Sequence, residues 1–277
     1  MLCPKVLLVS MPWAPYQEPS LGLSILSAVL NNDSIENDVK YFNIFLFKYL
    51  KASTYSSLAD IQGINEFLFS GIFEKNISSD QIQVLDRTFH YLLRDGNVLS
   101  NLNTRAEYFD FIFKIRNEIM PKFLNDCVKV IEENQYTMIG FTCMFDQTIA
   151  NLALAKLVKE RMPKTLICFG GYGLEGIVGH QILNSFRFVD IVAQGDGEPV
   201  ISKLAFLSVG KQPIDQIPNV VFRDNDNNLT TTQRVKIQLN DSPDPNYRSY
   251  FQNLEILKQE NKVEIRPNVL SIESSRG

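Results

Sequence analysis

Three stretches of this sequence carry residue types whose spacing suits ligand chemistry. Gly170-Gly171 follows the apolar run at residues 165–169, and Gly195-Asp196-Gly197-Glu198-Pro199 follows a second run at residues 189–193. Neither glycine of the first pair presents a Cβ, so the backbone there can approach a large ligand closely, although a tight strand-to-helix turn explains the same pair. Pro199 suits the first turn of a helix. Thr142 with Cys143, Met144, Phe145, Asp146 and Gln147 holds the equivalent place after residues 137–141, where Asp146 fits a helix cap. Asp196 and Glu198 could act as a carboxylate pair in acid–base work. No histidine, serine elbow or metal-ligating partner lies near them in sequence, so a self-contained hydrolytic site is not expected.

The loop at residues 11–22 includes Pro12, Trp13, Pro15, Tyr16, Pro19, Ser20, Leu21 and Gly22. It reads as a rigid apolar wall rather than a phosphate cradle, with simple packing against a helix as the alternative role for Trp13, the only tryptophan. No GxGxxG follows the first strand and no GxxxxGK[ST] occurs, which argues against a dinucleotide fingerprint or a phosphate loop. The four cysteines, Cys3, Cys127, Cys143 and Cys168, show no CxxC spacing and are expected to be buried apolar residues rather than disulfide or zinc partners. His90 and His180 are too few for a histidine-rich metal centre.

These loops need a framework to converge, and the periodicity supplies one. Residues 5–10 form a short β-branched run suited to a strand buried on both faces. Residues 21–30 then repeat apolar side chains at helical spacing, opening a βαβ unit. A second strand is predicted at residues 39–44. Between residues 53 and 135 the texture changes to aromatic amphipathic stretches, read as a helical insertion with Phe109, Ile112 and Phe113 on its buried face. Strand and helix then alternate through residue 207, which implies a doubly wound parallel sheet binding its ligand at the carboxyl ends of the strands.

Residues 220–223 and 235–237 are predicted to pair as a hairpin around the polar turn at 224–228. A linker follows at 241–245, and a last apparent strand lies at 268–273, of which residues 269–273 are expected to be disordered or paired with another chain in the isolated protein. The predicted division is an α/β domain over 1–210, containing the insertion, and a linker unit over 211–277.

With 277 residues, 45% of them hydrophobic, the chain can bury a substantial core. A net charge of −4, from 27 basic and 31 acidic residues, creates no field that favours nucleic acid or an anionic membrane. Neither a signal peptide nor an apolar run of spanning length is present, so a cytoplasmic protein is expected.

The succession of residues 12–22, then Gly140-Phe141-Thr142 with Phe145 and Gln147, then Phe169-Gly170-Gly171, then Val189 to Val192 with Gly195-Asp196-Gly197-Glu198, resembles the cobalamin-binding N-terminal domain of class B radical SAM enzymes. Within that family it is most similar to the maturases of ribosomally made, post-translationally modified peptides. The resemblance implies an α/β, Rossmann-like sheet of cobalamin-binding type. Its cofactor-binding residues would be Pro12, Trp13, Ser20, Leu21, Gly22, Thr142, Phe145, Gln147, Gly170, Gly171, Tyr172, Gly195, Asp196, Gly197 and Glu198.

Cobalamin domains of the DxHxxG type ligate cobalt through that histidine. Matching the motif's glycine to Gly22 puts Pro19 at the histidine position and Gln17 at the aspartate, so a base-off, His-off corrinoid is implied. Glu273-Ser274-Ser275-Arg276-Gly277 resembles the segment that precedes the family's CxxxCxxC motif, which holds an iron–sulfur cluster for S-adenosylmethionine. That motif is absent here. The expectation is a truncated or stand-alone cobalamin module, inactive by itself, whose complete form methylates or otherwise modifies a precursor peptide with a radical SAM domain in cis or in trans. Two rivals remain: a Rossmann-like enzyme for a nucleotide ligand, and a degenerate domain that binds only a peptide or protein partner.

Overall fold

The computed structural model describes residues 3–95, 102 and 104–274, with the side chains of 91–95 and 145 outside the description. In chain order the elements are β1 (Lys5–Ser10), α1 (Leu21–Asn32), β2 (Glu36–Tyr41), α2 (Phe42–Phe45), α3 (Ala52–Ala59), α4 (Ile64–Ser70), α5 (Ser79–Asp95), α6 (Arg105–Lys114), α7 (Met120–Glu132), β3 (Met138–Thr142), α8 (Thr148–Arg161), β4 (Leu166–Gly170), α9 (Ile177–Ser185), β5 (Ile191–Ala193), α10 (Glu198–Leu207), β6 (Val220–Arg223), β7 (Leu229–Thr231) and α11 (Arg248–Asn261).

Among the described residues the strands form one sheet of order β2-β1-β3-β4-β5-β6-β7. The first five run parallel, and β6 and β7 add an antiparallel edge. Residues 6–10 of β1 are buried, as a central parallel strand requires. The chain winds from β1 to β2 on one side and reaches β3 on the other, so the order reverses between β1 and β3. Open sheets hold ligands at such a switch point, beyond the carboxyl ends of the strands.

Right-handed crossovers in opposite directions place α1 on one face and α8 on the other. Helix α10 packs on α1, whereas α4 and α7 pack on α8. The insertion therefore lies on the α8 face. Its helices α3–α7 occupy most of the region from 53 to 135. On α6, Phe109 and Ile112 are buried and Phe113 is partly buried, joined by the fully buried Tyr108. A capping box starts that helix, with Thr104 accepting the Glu107 N–H and Glu107 accepting the Thr104 N–H.

The second strand spans Glu36–Tyr41 rather than residues 39–44, because its pairing with β1 ends at Ser10 and Tyr41 and the chain turns there into α2, which buries Phe42 and Ile44. Two further expectations need correction. The hairpin returns through Leu229–Thr231, not through residues 235–237. The turn closes early because Asp224 Oδ1 accepts both the Asp226 and Asn228 N–H groups at 2.9 Å, with Asn227 at φ 63°. Val235 and Ile237 instead donate their N–H groups to Asn219 and Asp196.

The other correction concerns residues 268–273, which are not a strand. Helix α11 covers the β2 edge, where Asn253 donates to the Val39 carbonyl and accepts the Tyr41 N–H. That contact removes a sheet edge on which a terminal strand could pair. The tail runs extended instead, with Asn268 N–H donating to the Gln17 carbonyl at 3.0 Å and the Tyr247 hydroxyl donating to the Ser271 carbonyl.

Candidate functional site

The two faces of the sheet are built differently. Side chains two apart on a strand share a face. Leu7, Ile139 and Ile167 point toward α8 and are fully buried. The paired row one residue further along, Leu8, Gly140 and Cys168, points toward α1 and α10. At Gly140 the row has no side chain, and an added Cβ would sit 3.0 Å from Leu8 Cδ2.

Between this row and the two helices lies a cavity of about 550 Å³, within the usual range of small-molecule pockets, about 300–1,000 Å³. Leu8, Met138 and Cys168 line it from the sheet, with Ile25, Leu26, Ile201 and Leu204 from the helices. The cavity runs from Met138 to Thr142 along β3, roughly 13 Å at the usual strand rise. It opens at the carboxyl edge beside the switch point. Thr142, Asp196, Glu198 and Glu273 supply polar groups near the mouth, and no lysine, arginine or histidine is among the described lining residues.

Local geometry explains why the edge loops are open. Ser20 caps α1 by accepting the Leu23 N–H, so the helix begins beside the mouth. Gly22 follows in its first turn, and a Cβ built there meets nothing within 4 Å. Gly171 serves the fold itself: its φ is +110°, and an added Cβ would lie 2.9 Å from the Cys143 carbonyl oxygen. At Gly197 an added Cβ would come within 3.0 Å of Leu26 Cδ2, which shows how closely α10 approaches α1.

Of the sequence-predicted residues, Leu21, Gly22, Thr142, Gly170, Gly171, Tyr172, Gly195, Asp196, Gly197 and Glu198 line this one cavity. Tyr172 is 83% exposed at the rim. Pro12, Trp13, Ser20 and Gln147 are not among its lining residues. Trp13 packs on Tyr55 of the insertion, ring centroids 4.8 Å apart. The buried Gln147 donates to the Met11 carbonyl at 2.8 Å, tying the first loop to the third. Asp146 accepts a bond from Asn65 of α4 at 2.9 Å and does not cap α8. The Phe145 side chain lies outside the described residues.

A polar frame behind the mouth was not visible in the sequence. Buried Asn219, at φ 60°, donates to the Asp196 and Val235 carbonyls and accepts the Val235 N–H. Gln194 donates to the carbonyls of Leu174 and Gly176, while Arg234 bridges Gln194 and Glu175. These bonds fasten the loops after β4 and β5 to each other. Their partners lie 16–59 residues apart in sequence, so spacing carries no signal of them. The deep wall residues were also missed, because Ile201 and Leu204 look like ordinary core positions on a helix.

Neither titratable thiol near the site is suited to act as a nucleophile. Burial pushes Cys143 up to about 12, opposed by a bond from Asn151. Burial also pushes Cys168 well up, with Asp190 acting in the same direction and Lys159 against it. Both remain protonated at neutral pH. The histidines stand apart from the cavity: exposed His90 lies on α5, and the His180 ring bonds Gly176 and Thr231. Among the described residues no group of three or more His, Cys, Asp or Glu is placed to hold a metal ion.

The cobalamin-dependent S-adenosylmethionine radical enzyme OxsB, with aqua-cobalamin and S-adenosylmethionine bound, matches at a TM-score of 0.60 and 11% identity, over 99% of this chain and 27% of that one. This chain has the fold of part of that enzyme. The same enzyme with aqua-cobalamin bound matches at 0.57 and 10% identity, over 92% of this chain and 26% of that one. A radical S-adenosylmethionine methyltransferase from Kitasatospora setae, TsrM, with tryptophan and an S-adenosylmethionine analogue bound, gives 0.43 at 13% identity, over 82% of this chain and 30% of that one. The chain thus spans just over a quarter of the OxsB structures it matches. No family model matches the sequence, and no curated protein does. No helix among the described residues is long and apolar enough to cross a membrane.

Proposed function

We propose that this chain is the corrinoid-holding part of a cobalamin-dependent radical SAM system. The observation that carries the reading is the apolar cavity under α1 and α10, open at the β1/β3 switch point and rimmed by glycine loops. The cavity is too small for a whole corrinoid but suits a heterocycle on its sugar, leaving the macrocycle at the carboxyl edge. Gly22 and Gly170 keep the mouth clear: an added Cβ would meet nothing at Gly22 and only ordinary contact, 3.6 Å from Ala193 Cβ, at Gly170. Exposed Met144, Tyr172 and Ile272 surround the opening with apolar surface suited to a large flat ligand.

Residues of this chain would bind and orient the group, exclude water from its buried end and leave one face of it accessible. When bound, a corrinoid supplies cobalt chemistry such as carrying a methyl group. The base-off, His-off state is supported by Pro19 at the matched histidine position and by the absence of either histidine from the described cavity lining.

The nucleotide-enzyme rival draws no support from the sequence, which has neither a GxGxxG after its first strand nor a GxxxxGK[ST] loop. We further propose that the complete system acts in the cytoplasm on a precursor peptide, by C-methylation or a related modification. A radical SAM domain in cis or in trans would supply the iron–sulfur cluster and the S-adenosylmethionine site.

The test is reconstitution with hydroxocobalamin followed by removal of free ligand. A retained corrinoid absorbance band, with a Co(II) electron paramagnetic signal lacking nitrogen splitting, is the expected result. Failure to retain corrinoid would overturn the reading. A nitrogen-split signal would overturn only the base-off, His-off assignment.

A further inference from the structure

The deep part of the cavity offers a ligand almost nothing to hydrogen-bond. Its walls are Leu8, Met138 and Cys168 from the sheet and Leu26, Ile201 and Leu204 from the helices. Around Leu8, Gly140 and Cys168 the backbone is engaged in the parallel ladders of β1, β3 and β4. Within helices α1 and α10 the backbone groups serve the helices. The Cys168 thiol is the nearest approach to a polar wall group, and a protonated thiol is a weak donor and acceptor. Thr142, Asp196 and Glu198 stand at the other end, where β3 finishes and α10 begins. From Glu198 to Leu204 the helix descends roughly 9 Å at its usual rise, so polarity is confined to the mouth.

We infer that this cavity selects corrinoids by their lower base, taking one with a hydrocarbon edge, such as 5,6-dimethylbenzimidazole, in preference to adenine. The inference rests on the corrinoid reading above. Two ring methyls gain by entering an apolar wall. Adenine would bring an exocyclic amino group and further ring nitrogens to a place without partners, and each would lose its water without replacement. A hydrophobic pocket discriminates against a ligand with an added polar group by about 100-fold, and a preference of about that size is expected here.

Equilibrium dialysis of the full chain against hydroxocobalamin, its adenine-based analogue and tail-less cobinamide, read by visible absorbance, tests this. The expected order places hydroxocobalamin tightest, with the adenine analogue about 100-fold weaker and cobinamide also weaker than hydroxocobalamin. Equal affinity for the two base-bearing corrinoids would overturn the selection while leaving the corrinoid reading intact. Cobinamide binding as tightly as hydroxocobalamin would also overturn it, because the base would then gain nothing from the cavity. If none of the three bound, the proposed function would fall and the inference with it.

Discussion

The two faces of the sheet share strands yet differ in what they bury. Toward α8, Leu7, Ile139 and Ile167 meet helices that the insertion backs with aromatic rings, such as Phe69 and Phe123 at 6.2 Å. Toward α1 and α10, Gly140 interrupts the row between Leu8 and Cys168, and a cavity of about 550 Å³ remains. A close-packed interior rarely leaves a void of that size. The contrast assigns close packing to the insertion face and the cavity to the other. It also explains why a long insertion can sit between β2 and β3 without obstructing the site, since it crosses on the opposite side.

The largest effect on stability should come from hollowing the packed face. Phe123 is fully buried on α7 among Phe45, Tyr49 and Phe69. Phe123→Ala should lower the unfolding free energy by about 3–5 kcal/mol, measured by urea denaturation. A loss under ~1 kcal/mol would erase the contrast between the faces.

Asn219→Ala tests the frame behind the cavity mouth. The change strands the Asp196 and Val235 carbonyls and the Val235 N–H, and it places alanine at φ 60°. A loss of about 2–3 kcal/mol is expected, together with weaker corrinoid uptake. Full stability in this variant would show that the loops hold without Asn219.

Alkaline pH should affect both faces. The Cys143 thiol has an ordinary value of 9.0 and is held at about 12 in the fold. Its folded-state value is raised, so its contribution is fully present below the ordinary value and is lost as pH rises from there toward the folded value. Burial raises Cys127 and Cys168 in the same sense. Unfolding free energy should fall above that ordinary value by about 1.4 kcal/mol per pH unit for each such thiol. Urea midpoints that stayed flat into that range would contradict the burial of these groups.

The smallest change in stability should accompany a large change in binding. Gly22→Leu puts a side chain at the open mouth, where an added Cβ has no neighbour within 4 Å. Removing a helical glycine should leave stability within about 1 kcal/mol and on the favourable side, while hydroxocobalamin retention is lost. Thermal denaturation and absorbance together separate the two effects. Retained uptake would show that the mouth beside α1 is not the route into the cavity.

Much of the architecture was legible because its signals are local. The run at residues 5–10, the helical spacing from Leu21 to Leu30 and the later strand–helix alternation fix elements through side-chain period alone. The glycine loops at 170–171 and 195–197 were likewise readable as an opening, since a missing Cβ is a property of the residue. The hairpin partner was misplaced because the Asp224 turn is decided by which N–H groups its carboxylate reaches. The tail was misread as a strand because an apolar, β-branched run does not reveal whether a sheet edge is available, and Asn253 of α11 already covers the β2 edge.

The sequence by itself therefore determined the order of strands and helices, the helical insertion and the loops that meet at the carboxyl edge. Tertiary structure alone decided that the sheet reverses between β1 and β3, that the hairpin joins it as an antiparallel edge, and that Leu8, Gly140 and Cys168 share a row facing a void. It also decided that Asn219 and Arg234 hold the rim from far along the chain. The physical reason is range. Propensity and periodicity act over a few residues, whereas a cavity exists only where several elements fail to fill the space between them.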